Sequence, residues 1–344
     1  MEPEPYQVRP GARNLITDVP GLKVGQAQAE LVRTGVTVVL PDERAVCACD
    51  VRGGGPGTRE TDALAPENLV DAVDAVVLSG GSVYGLAAAD GVTAWLGAQG
   101  RGFEVAPGAS FPHSPVVPAA ILFDLANGGD KQWGGEPPYR DLGREAVLSA
   151  GEAFRLGTAG AGYGAMAGGL KGGVGSASVV SADGLTVGAI VAVNCWGSVV
   201  APGGRTFWAA PYEIGSEFGG LGAHGLAAAP DAWGLAKTAA EPRNTTIACV
   251  ATDVALTPAQ AKRVAIMAQD GMARAIRPVH APFDGDVVFA LSTARQPLPE
   301  PAAFSLARLG ALAADTLARA VARGVYEASA WPGSDVACWS ALKP

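Results

Sequence analysis

Short runs of apolar residues, separated by segments rich in Gly and Pro, recur along the whole chain. Most of these runs are dominated by Val, Ile and Ala, which is typical of strands buried on one or both faces. The predicted strands are residues 14–25, 35–41, 45–51, 72–78, 116–123, 187–193 and 245–252, and one more that follows the turn at 283–286.

Other segments have the apolar spacing of helices. The predicted helices are a segment from the glycine turn at 79–86 to about 97, a segment that begins near 139, and the segments 258–274 and 303–323. Thr257 is suited to the N-cap of the third helix and Pro258 to its first position. Gly324 is predicted to end the fourth.

The pattern changes abruptly at Asn244. Residues 209–243 have neither the period of a strand nor that of a helix, which indicates an irregular connection. From Thr245 onward the residues are β-branched or small and apolar, so a buried strand begins there. Residues 244–246 are compatible with an ordinary junction between a loop and a strand.

The same junction is also what a self-cleaving precursor needs. The Thr245 hydroxyl can attack the Asn244 carbonyl, and hydrolysis of the resulting ester would leave Thr245 as a new N-terminus. A residue of this kind combines nucleophile and base, because its free α-amine, with a pKa of about 7.7 to 8.0, can accept the hydroxyl proton.

Composition limits the class of protein. The chain has 344 residues, 49% of them hydrophobic, which is enough for one large domain or two smaller ones. A net charge of −8 without a basic cluster makes nucleic acid and membranes poor partners. The N-terminus lacks a basic and apolar leader, and no apolar run approaches about 18 residues, so we expect a soluble, cytoplasmic protein.

Few residues are suited to bind a metal. The five cysteines lack metal-type spacing and predict small buried side chains in a reducing compartment. His113, His224 and His280 lie far apart in sequence and form no HExxH-like motif. This argues against a zinc site and against a conventional Ser-His-Asp triad. If the protein is a hydrolase, a terminal amine is a natural base.

Three glycine-rich segments could bring the backbone close to a ligand. Residues 52–61 are also compatible with a mobile surface loop. The turn at 79–86 matches neither GxGxxG nor the Walker pattern, which argues against a nucleotide site. The third segment is 157–177. The candidate substrate-binding residues in these segments are Arg52, Gly80, Gly81, Tyr84 and Tyr163.

Polar side chains at four further positions are candidates for chemistry. Nine glycines surround Lys171, which is either an ordinary surface charge or an ammonium fixed by close packing and aimed at a substrate or nucleophile. Asn194, at the end of a predicted strand, either caps a turn or donates to an oxyanion. Asp284 begins a good Asp-Gly turn, but a turn does not explain the second carboxylate, Asp286.

In combination these features resemble a known family. The resemblance rests on segments 14–25, 79–86 and 160–173, Asn194, the junction 243–247, Asp284 and Asp286. It is to the self-processing β-aminopeptidase and D-aminopeptidase family of N-terminal-nucleophile hydrolases, which includes the nylon-oligomer (6-aminohexanoate oligomer) hydrolases. It covers nearly the whole chain from Asn14.

The resemblance implies an α+β fold, a four-layer αββα sandwich with two packed sheets covered by helices, similar to that of the ornithine acetyltransferases. It also implies a single hydrolase domain over residues 1–344. The chain would be made as an inactive precursor and cut into an α chain, 1–244, and a β chain, 245–344, that stay associated.

Site residues follow from their positions in the family pattern. Thr245 resembles the nucleophile, and its freed amine the general base. Lys171 and Asn194 resemble residues beside the nucleophile, with Asn194 expected to help bind the oxyanion. Asp284 and Asp286 resemble the acidic pair that positions the amine and hydroxyl of the nucleophile in the nylon-oligomer hydrolases.

The two branches of the family are not separated by these residues. The β-aminopeptidase branch has Ser as nucleophile and Ser at the first acidic position, so Thr245 and Asp284 resemble the nylon-hydrolase branch. The glycine-rich sequence that ends at Lys171 resembles the aminopeptidase branch instead.

The resemblance therefore implies an amide hydrolase that needs no metal or cofactor. We expect an aminopeptidase acting on peptides or amides with a free amino terminus, including β- or D-amino residues. Alternatives are a 6-aminohexanoate oligomer hydrolase, an acyltransferase of the ornithine acetyltransferase type, and a non-enzymatic scaffold. The expected partners are a small amide or short peptide substrate, the two chains of one precursor, and further copies in a dimer or tetramer.

Overall fold

The computed structural model describes residues 7–106, 108, 110–224, 226–238 and 244–342. In chain order the strands are β1 (Val8–Arg9), β2 (Leu22–Ala29), β3 (Thr34–Pro41), β4 (Ala45–Val51), β5 (Thr58–Arg59), β6 (Ala72–Val73), β7 (Val76–Ser79), β8 (Ala119–Ile121), β9 (Met166–Ala167), β10 (Leu170–Lys171), β11 (Gly173–Ser181), β12 (Thr186–Val193), β13 (Thr246–Val254) and β14 (Val287–Gln296). The α-helices are α1 (Ala88–Ala98), α2 (Tyr139–Leu148), α3 (Pro258–Ala275) and α4 (Ala302–Tyr326).

Two sheets and the helices stack in four layers. The larger sheet has the order β1-β11-β12-β13-β14-β4-β6, and the smaller sheet has the order β2-β3-β7-β8-β5. One apolar cluster lies between the larger sheet and helices α3 and α4, a second lies between the two sheets, and a third lies between the smaller sheet and helices α1 and α2. The predicted α+β sandwich of αββα type is confirmed.

Strand β13 lies in the middle of the larger sheet and is buried along its whole length. Ile247 and Cys249 face the core between the sheets, while Ala248 and Val250 face helices α3 and α4. Both faces are covered, so the strand is continuously apolar, as the sequence predicted.

Helix α3 begins as predicted. The Thr257 hydroxyl accepts the N–H of Gln260 at 3.3 Å, and the Gln260 side chain accepts the N–H of Thr257 at 2.9 Å. Helix α4, in contrast, continues to Tyr326, so the predicted end at Gly324 is wrong. Gly324 instead lies against β11, where a Cβ atom would come within 2.9 Å of the Gly175 nitrogen. This glycine allows close packing of helix on sheet.

Two predicted strands are shorter than the pattern indicated. Of residues 14–25, only those from Leu22 onward form a strand, because the Asp18 carboxylate accepts the N–H groups of Arg13 and Leu15 and closes a compact turn over residues 16–18. Of residues 116–123, only β8 forms a ladder.

The predicted strand 72–78 is divided at Asp74. Its first part, β6, pairs with β4 in the larger sheet, and its second part, β7, pairs with β3 in the smaller sheet. The buried Asp74 carboxylate accepts the N–H of Val116 at 2.9 Å at the crossing point. The chain therefore passes from one sheet to the other within a single apolar run. Within the described ranges, no helix is both long enough and apolar enough to cross a membrane.

Candidate active site

Four segments of the chain meet around Thr245 at one edge of the larger sheet. Strand β13 begins there, and β14 begins at the same edge because it runs parallel to β13. Strands β12 and β4 end there because they run antiparallel to these neighbours. Thr245 is therefore surrounded by Asn194 after β12, by residues 52–55 after β4 and by residues 284–286 before β14.

The peptide bond between Asn244 and Thr245 is buried, with 2% and 4% of these residues exposed. Thr245 donates its N–H to the Asn194 carbonyl at 3.1 Å and has a φ of +139°. A β-branched residue rarely adopts this conformation, which costs about 1–3 kcal/mol. Neither Oδ1 nor Nδ2 of the Asn244 side chain has a hydrogen-bond partner among the described residues. Arg243, which begins the junction motif, lies outside those residues.

The predicted acidic pair lies beside Thr245. A Cβ atom on Gly285 would lie 2.7 Å from Thr245 Oγ1, so only glycine allows the turn to approach the hydroxyl this closely. Asp286 accepts the N–H of Thr246 on Oδ1 at 2.7 Å. Asp284 and Asp286 are both buried. The structure thus brings the predicted nucleophile and the predicted acidic pair together.

The two carboxyl groups share one buried site. Burial and the charge of Asp286 raise the pKa of Asp284 to about 7, while the nearby Lys237 ammonium opposes that shift. Oδ2 of Asp284 accepts the N–H of Ala281 at 3.1 Å. Burial beside a second carboxyl group thus lets Asp284 keep its proton close to neutral pH.

His280 holds Asp286 from the other side. Oδ2 of Asp286 accepts the main-chain N–H of His280 at 3.2 Å and lies 2.8 Å from its Nδ1. His280 adopts a left-handed backbone conformation with a φ of +56°. A histidine that lacks a sequence motif is therefore part of the site.

The glycine loop after β4 supports the acidic turn. A Cβ atom on Gly53 would overlap the backbone at Asp286 and Asp284, so the loop packs there only as glycine. The N–H of Arg52 donates to the Asp286 carbonyl at 3.0 Å. The Arg52 guanidinium, a candidate for substrate binding, instead donates to Asp50 at 2.8 Å. Residue 52 thus contributes to the site through its backbone.

Asn194 connects Thr245 to the neighbouring cavity wall. Its Oδ1 accepts the N–H of Met166 at 2.9 Å, and its Nδ2 donates to the Phe123 carbonyl at 3.1 Å. Its own carbonyl accepts the N–H of Thr245. These bonds fix the amide in one orientation next to the candidate nucleophile.

Lys171 is fully buried, so it is not a surface charge. Nζ donates to the carbonyls of Gly162, Ala165 and Gly172 at 3.1, 3.0 and 2.7 Å. It also lies 4.9 Å from the centre of the Trp331 ring. Burial lowers the pKa of Lys171 to about 7. The side chain stabilises the glycine-rich turn that carries Met166, and its hydrogens point at backbone oxygens.

A cavity of about 380 Å³ opens beside Asn194. The residues that line it include Asp124, Lys237 and Trp331. Lys237 Nζ lies 3.4 Å from the Asn194 carbonyl. The cavity is therefore lined by one acidic and one basic residue, and the basic one is close to Asn194.

Asp124 is buried in a cradle made by the glycine turn after β7. Its Oδ1 accepts the N–H of Gly81 at 2.7 Å, and its Oδ2 accepts the Thr34 hydroxyl at 2.6 Å. A Cβ atom on Gly80 would overlap the same carboxylate. Burial raises the pKa of Asp124 to about 6. Gly80 and Gly81 thus act on the cavity by holding its acidic group.

The two candidate tyrosines lie outside the cavity lining described above. Tyr84 is half exposed and packs edge-on against Trp133, with the ring centres 5.7 Å apart. Tyr163 is buried, and its carbonyl accepts the Trp331 Nε1–H at 2.6 Å. Tyr163 supports the cavity through Trp331, and Tyr84 belongs to the outer surface.

Sequence reasoning missed Asp124, Lys237 and His280. A signal for Asp124 existed, because a carboxylate directly after a predicted buried strand occupies the same kind of position as Asn194. Lys237 lies in an irregular connection that has neither helix nor strand periodicity. His280 lies in a loop whose left-handed turn has no sequence marker. In the parts of the chain that the structure describes, no cluster of three His, Cys, Asp or Glu side chains could hold a metal ion.

Comparisons with known proteins agree with this architecture. The model of peptidase family S58 matches residues 14–338. An uncharacterized aminopeptidase of Mycobacterium tuberculosis is 46% identical over 341 residues, covering 92% of this chain and 94% of the relative. A 6-aminohexanoate-oligomer endohydrolase of Agromyces sp. is 30% identical over 327 residues, covering 90% of this chain and 86% of the relative.

One solved structure extends the comparison to the fold. It is an L-aminopeptidase D-Ala-esterase/amidase from Ochrobactrum anthropi, a variant of the Ntn hydrolase fold. It superposes with a TM-score of 0.70 at 22% identity, covering 97% of this chain and 91% of the other. The segments that surround Thr245 all lie within the matched range 14–338.

Proposed function

The chain belongs to peptidase family S58 and is a hydrolase of peptide or amide bonds, and from that premise we propose that it cuts itself between Asn244 and Thr245 and then uses Thr245 as an N-terminal nucleophile. One observation carries the proposal. The buried Asn244–Thr245 bond has an unusual backbone conformation and lies directly against the turn at 284–286.

Self-cleavage needs only the groups at this edge of the sheet. Thr245 Oγ attacks the Asn244 carbonyl carbon, the peptide C–N bond breaks, and an ester forms while the nitrogen becomes the free amine of Thr245. Water then hydrolyses the ester and releases the Asn244 carboxylate and the Thr245 hydroxyl. The unusual φ of Thr245 favours this step, because it is a cost that cleavage relieves.

The cut enzyme repeats this chemistry on a substrate amide. The Thr245 amine accepts the hydroxyl proton while Oγ attacks the substrate carbonyl, and the proton then passes to the leaving amine. Asn194 Nδ2 carries two hydrogens and donates one to Phe123, which leaves the second for the oxyanion. Water hydrolyses the acyl-enzyme and releases an acid. Asp284 and Asp286 orient the amine and hydroxyl of Thr245.

The substrate we propose is a peptide or amide with a free amino terminus, including β- or D-amino residues. Its ammonium would bind the carboxylate of Asp124, a residue that lines the cavity beside Asn194. The cavity volume suits a small acyl group such as a single amino acid.

Intact mass of the purified protein tests the proposal, with Thr245→Ala and Thr245→Ser in parallel. We expect fragments 1–244 and 245–344 from the wild type, one uncut chain from Thr245→Ala, and slower cutting in Thr245→Ser, which keeps a hydroxyl. Alanine p-nitroanilide and β-alanine p-nitroanilide are then assayed against N-acetylalanine p-nitroanilide, which lacks the ammonium. A wild type that stays uncut and inert refutes the proposal.

A 6-aminohexanoate oligomer is the second candidate substrate. It is supported by the relative that carries this name and by the combination of Thr245 with two aspartates. A linear 6-aminohexanoate trimer and its N-acetylated form separate the candidates, because cleavage inside the blocked trimer requires no free amine. Association of cut protomers into a dimer or tetramer stays a prediction, which light scattering tests.

A further inference from the structure

Two consecutive main-chain N–H groups bind the two buried carboxylates. The N–H of His280 donates to Asp286 Oδ2 at 3.2 Å, and the N–H of Ala281 donates to Asp284 Oδ2 at 3.1 Å. The left-handed conformation of His280 turns successive N–H groups to one side of the chain. This backbone concavity binds anions in many proteins, and here the anions are side chains of the same chain.

The His280 ring makes a third contact to Asp286, beside the main-chain N–H groups of His280 and Thr246. Asp286 Oδ2 already accepts the main-chain N–H of His280, so the ring tautomer with its hydrogen on Nδ1 makes the 2.8 Å contact as a second donor from the same residue. The other oxygen of Asp286 accepts the N–H of Thr246. Asp286 is thus fixed at both oxygens, between the imidazole and the first peptide of β13.

We propose that His280 is a positioning residue of the active site, whose Nδ1–H locks the Asp286 carboxylate in the orientation that holds Thr246 and, through it, the Thr245 hydroxyl. The inference rests on the proposed role of Thr245. Without the ring donor, Asp286 Oδ2 keeps only the longer bond from the His280 main-chain N–H, at 3.2 Å, so the carboxylate would sample a wider range of torsions and hold Thr246 less tightly. A shift of about 1 Å in a reacting group costs on the order of a hundredfold in rate.

Two substitutions at position 280 distinguish the contribution of the imidazole ring from that of the left-handed backbone conformation. His280→Gly removes the imidazole and keeps the left-handed conformation, which glycine adopts readily. His280→Asn is the matched control, because Asn tolerates the same conformation and its Nδ2 can donate from about the position of Nδ1. Each variant is measured for the rate of self-cleavage, for kcat and KM on alanine p-nitroanilide, and for thermal unfolding.

In His280→Gly, we expect self-cleavage and kcat to fall about tenfold to a hundredfold, with KM within about twofold of the wild type. His280→Asn should stay within about threefold of the wild type in both rates. A purely structural role would lower the unfolding temperature of both variants and would not be restored by an amide donor.

The proposal is overturned if folded His280→Gly cuts and hydrolyses like the wild type, or if folded His280→Asn is as slow as His280→Gly. If His280→Gly does not fold, His280→Asn alone decides, since a loss beyond about tenfold in its kcat contradicts the proposal. A wild type that neither cuts nor hydrolyses rejects the function of Thr245 and this inference with it. An active wild type beside an unaffected glycine variant rejects the inference alone.

Discussion

Gly285→Ala tests whether the acidic turn must touch Thr245, the proposed nucleophile. The added Cβ would lie 2.7 Å from Thr245 Oγ1 and 2.8 Å from the Gly55 carbonyl. Ordinary contact begins at about 3.4 Å, so the Thr245 oxygen or the turn must retreat by about 0.7 Å. The φ of Gly285 is not positive, so alanine is not strained by the backbone itself. The effect should therefore be local to Thr245 and the Gly55 carbonyl.

A displacement of this size predicts a loss of about tenfold to a hundredfold in self-cleavage and in kcat. Overpacking should lower the unfolding free energy by about 1–3 kcal/mol, which leaves the protein folded. The matched control is Gly55→Ala in the opposing loop, where the nearest atom to a Cβ is 3.6 Å away. Timed mass spectrometry follows cutting, and urea denaturation follows stability. Equal rates in Gly285→Ala and the wild type, or equal damage by Gly55→Ala, would refute the reasoning.

Three further substitutions test the charged groups. The pKa of Asp284 is raised to about 7, so at pH 6 its carboxyl group is mostly neutral and resembles the amide of Asn. In a pH–rate profile, Asp284→Asn should therefore lose several-fold more activity, relative to the wild type, at pH 8 than at pH 6. Lys171→Met leaves three buried carbonyls unpaired and should cost about 3 kcal/mol or more in urea denaturation at pH 7. The pKa of Lys171 is about 7 in the folded protein and higher in the unfolded chain, so between these two pKa values the unfolded chain binds one more proton than the folded protein. The free energy of unfolding of the wild type, relative to that of Lys171→Met, should therefore grow from pH 7 to pH 8.5. Asp124→Asn should raise KM for alanine p-nitroanilide about tenfold, by loss of a charge-assisted hydrogen bond, and leave KM for the N-acetylated analogue unchanged.

The buried strands were predictable because both of their faces are covered. Strands β12 and β13 have apolar side chains on both faces, which gives continuous apolar runs, and helix α3 has a cap that can be recognised from Thr257 and Pro258. The predictions failed where a distant contact decided the local structure. Asp18 closes a turn over an apolar run, and Asp74 marks a change of sheet within one.

The site could be predicted in part for the same reason. Thr245, Asn194 and the acidic pair stand at strand ends; parallel pairing of β13 with β14 brings the acidic pair to Thr245, and antiparallel pairing of β12 with β13 brings Asn194 there. The function of Lys171 could not be inferred from its neighbours, since its three acceptors depend on how the glycine-rich turn folds. His280 reaches Asp286 only through a left-handed backbone conformation.

The position of β13 and β14 in the larger sheet has a consequence for the cut protein. Both strands, with α3 and α4, belong to residues 245–344, yet β13 borders β12 and β14 borders β4 from the longer fragment. The shorter fragment alone would expose two unpaired strand edges, and the longer one would have a gap in its sheet. The covalent break would thus turn one folding unit into an obligate two-chain assembly. Its unfolding becomes a dissociation, so the melting temperature of the cut form should rise with protein concentration, while that of uncut Thr245→Ala stays constant.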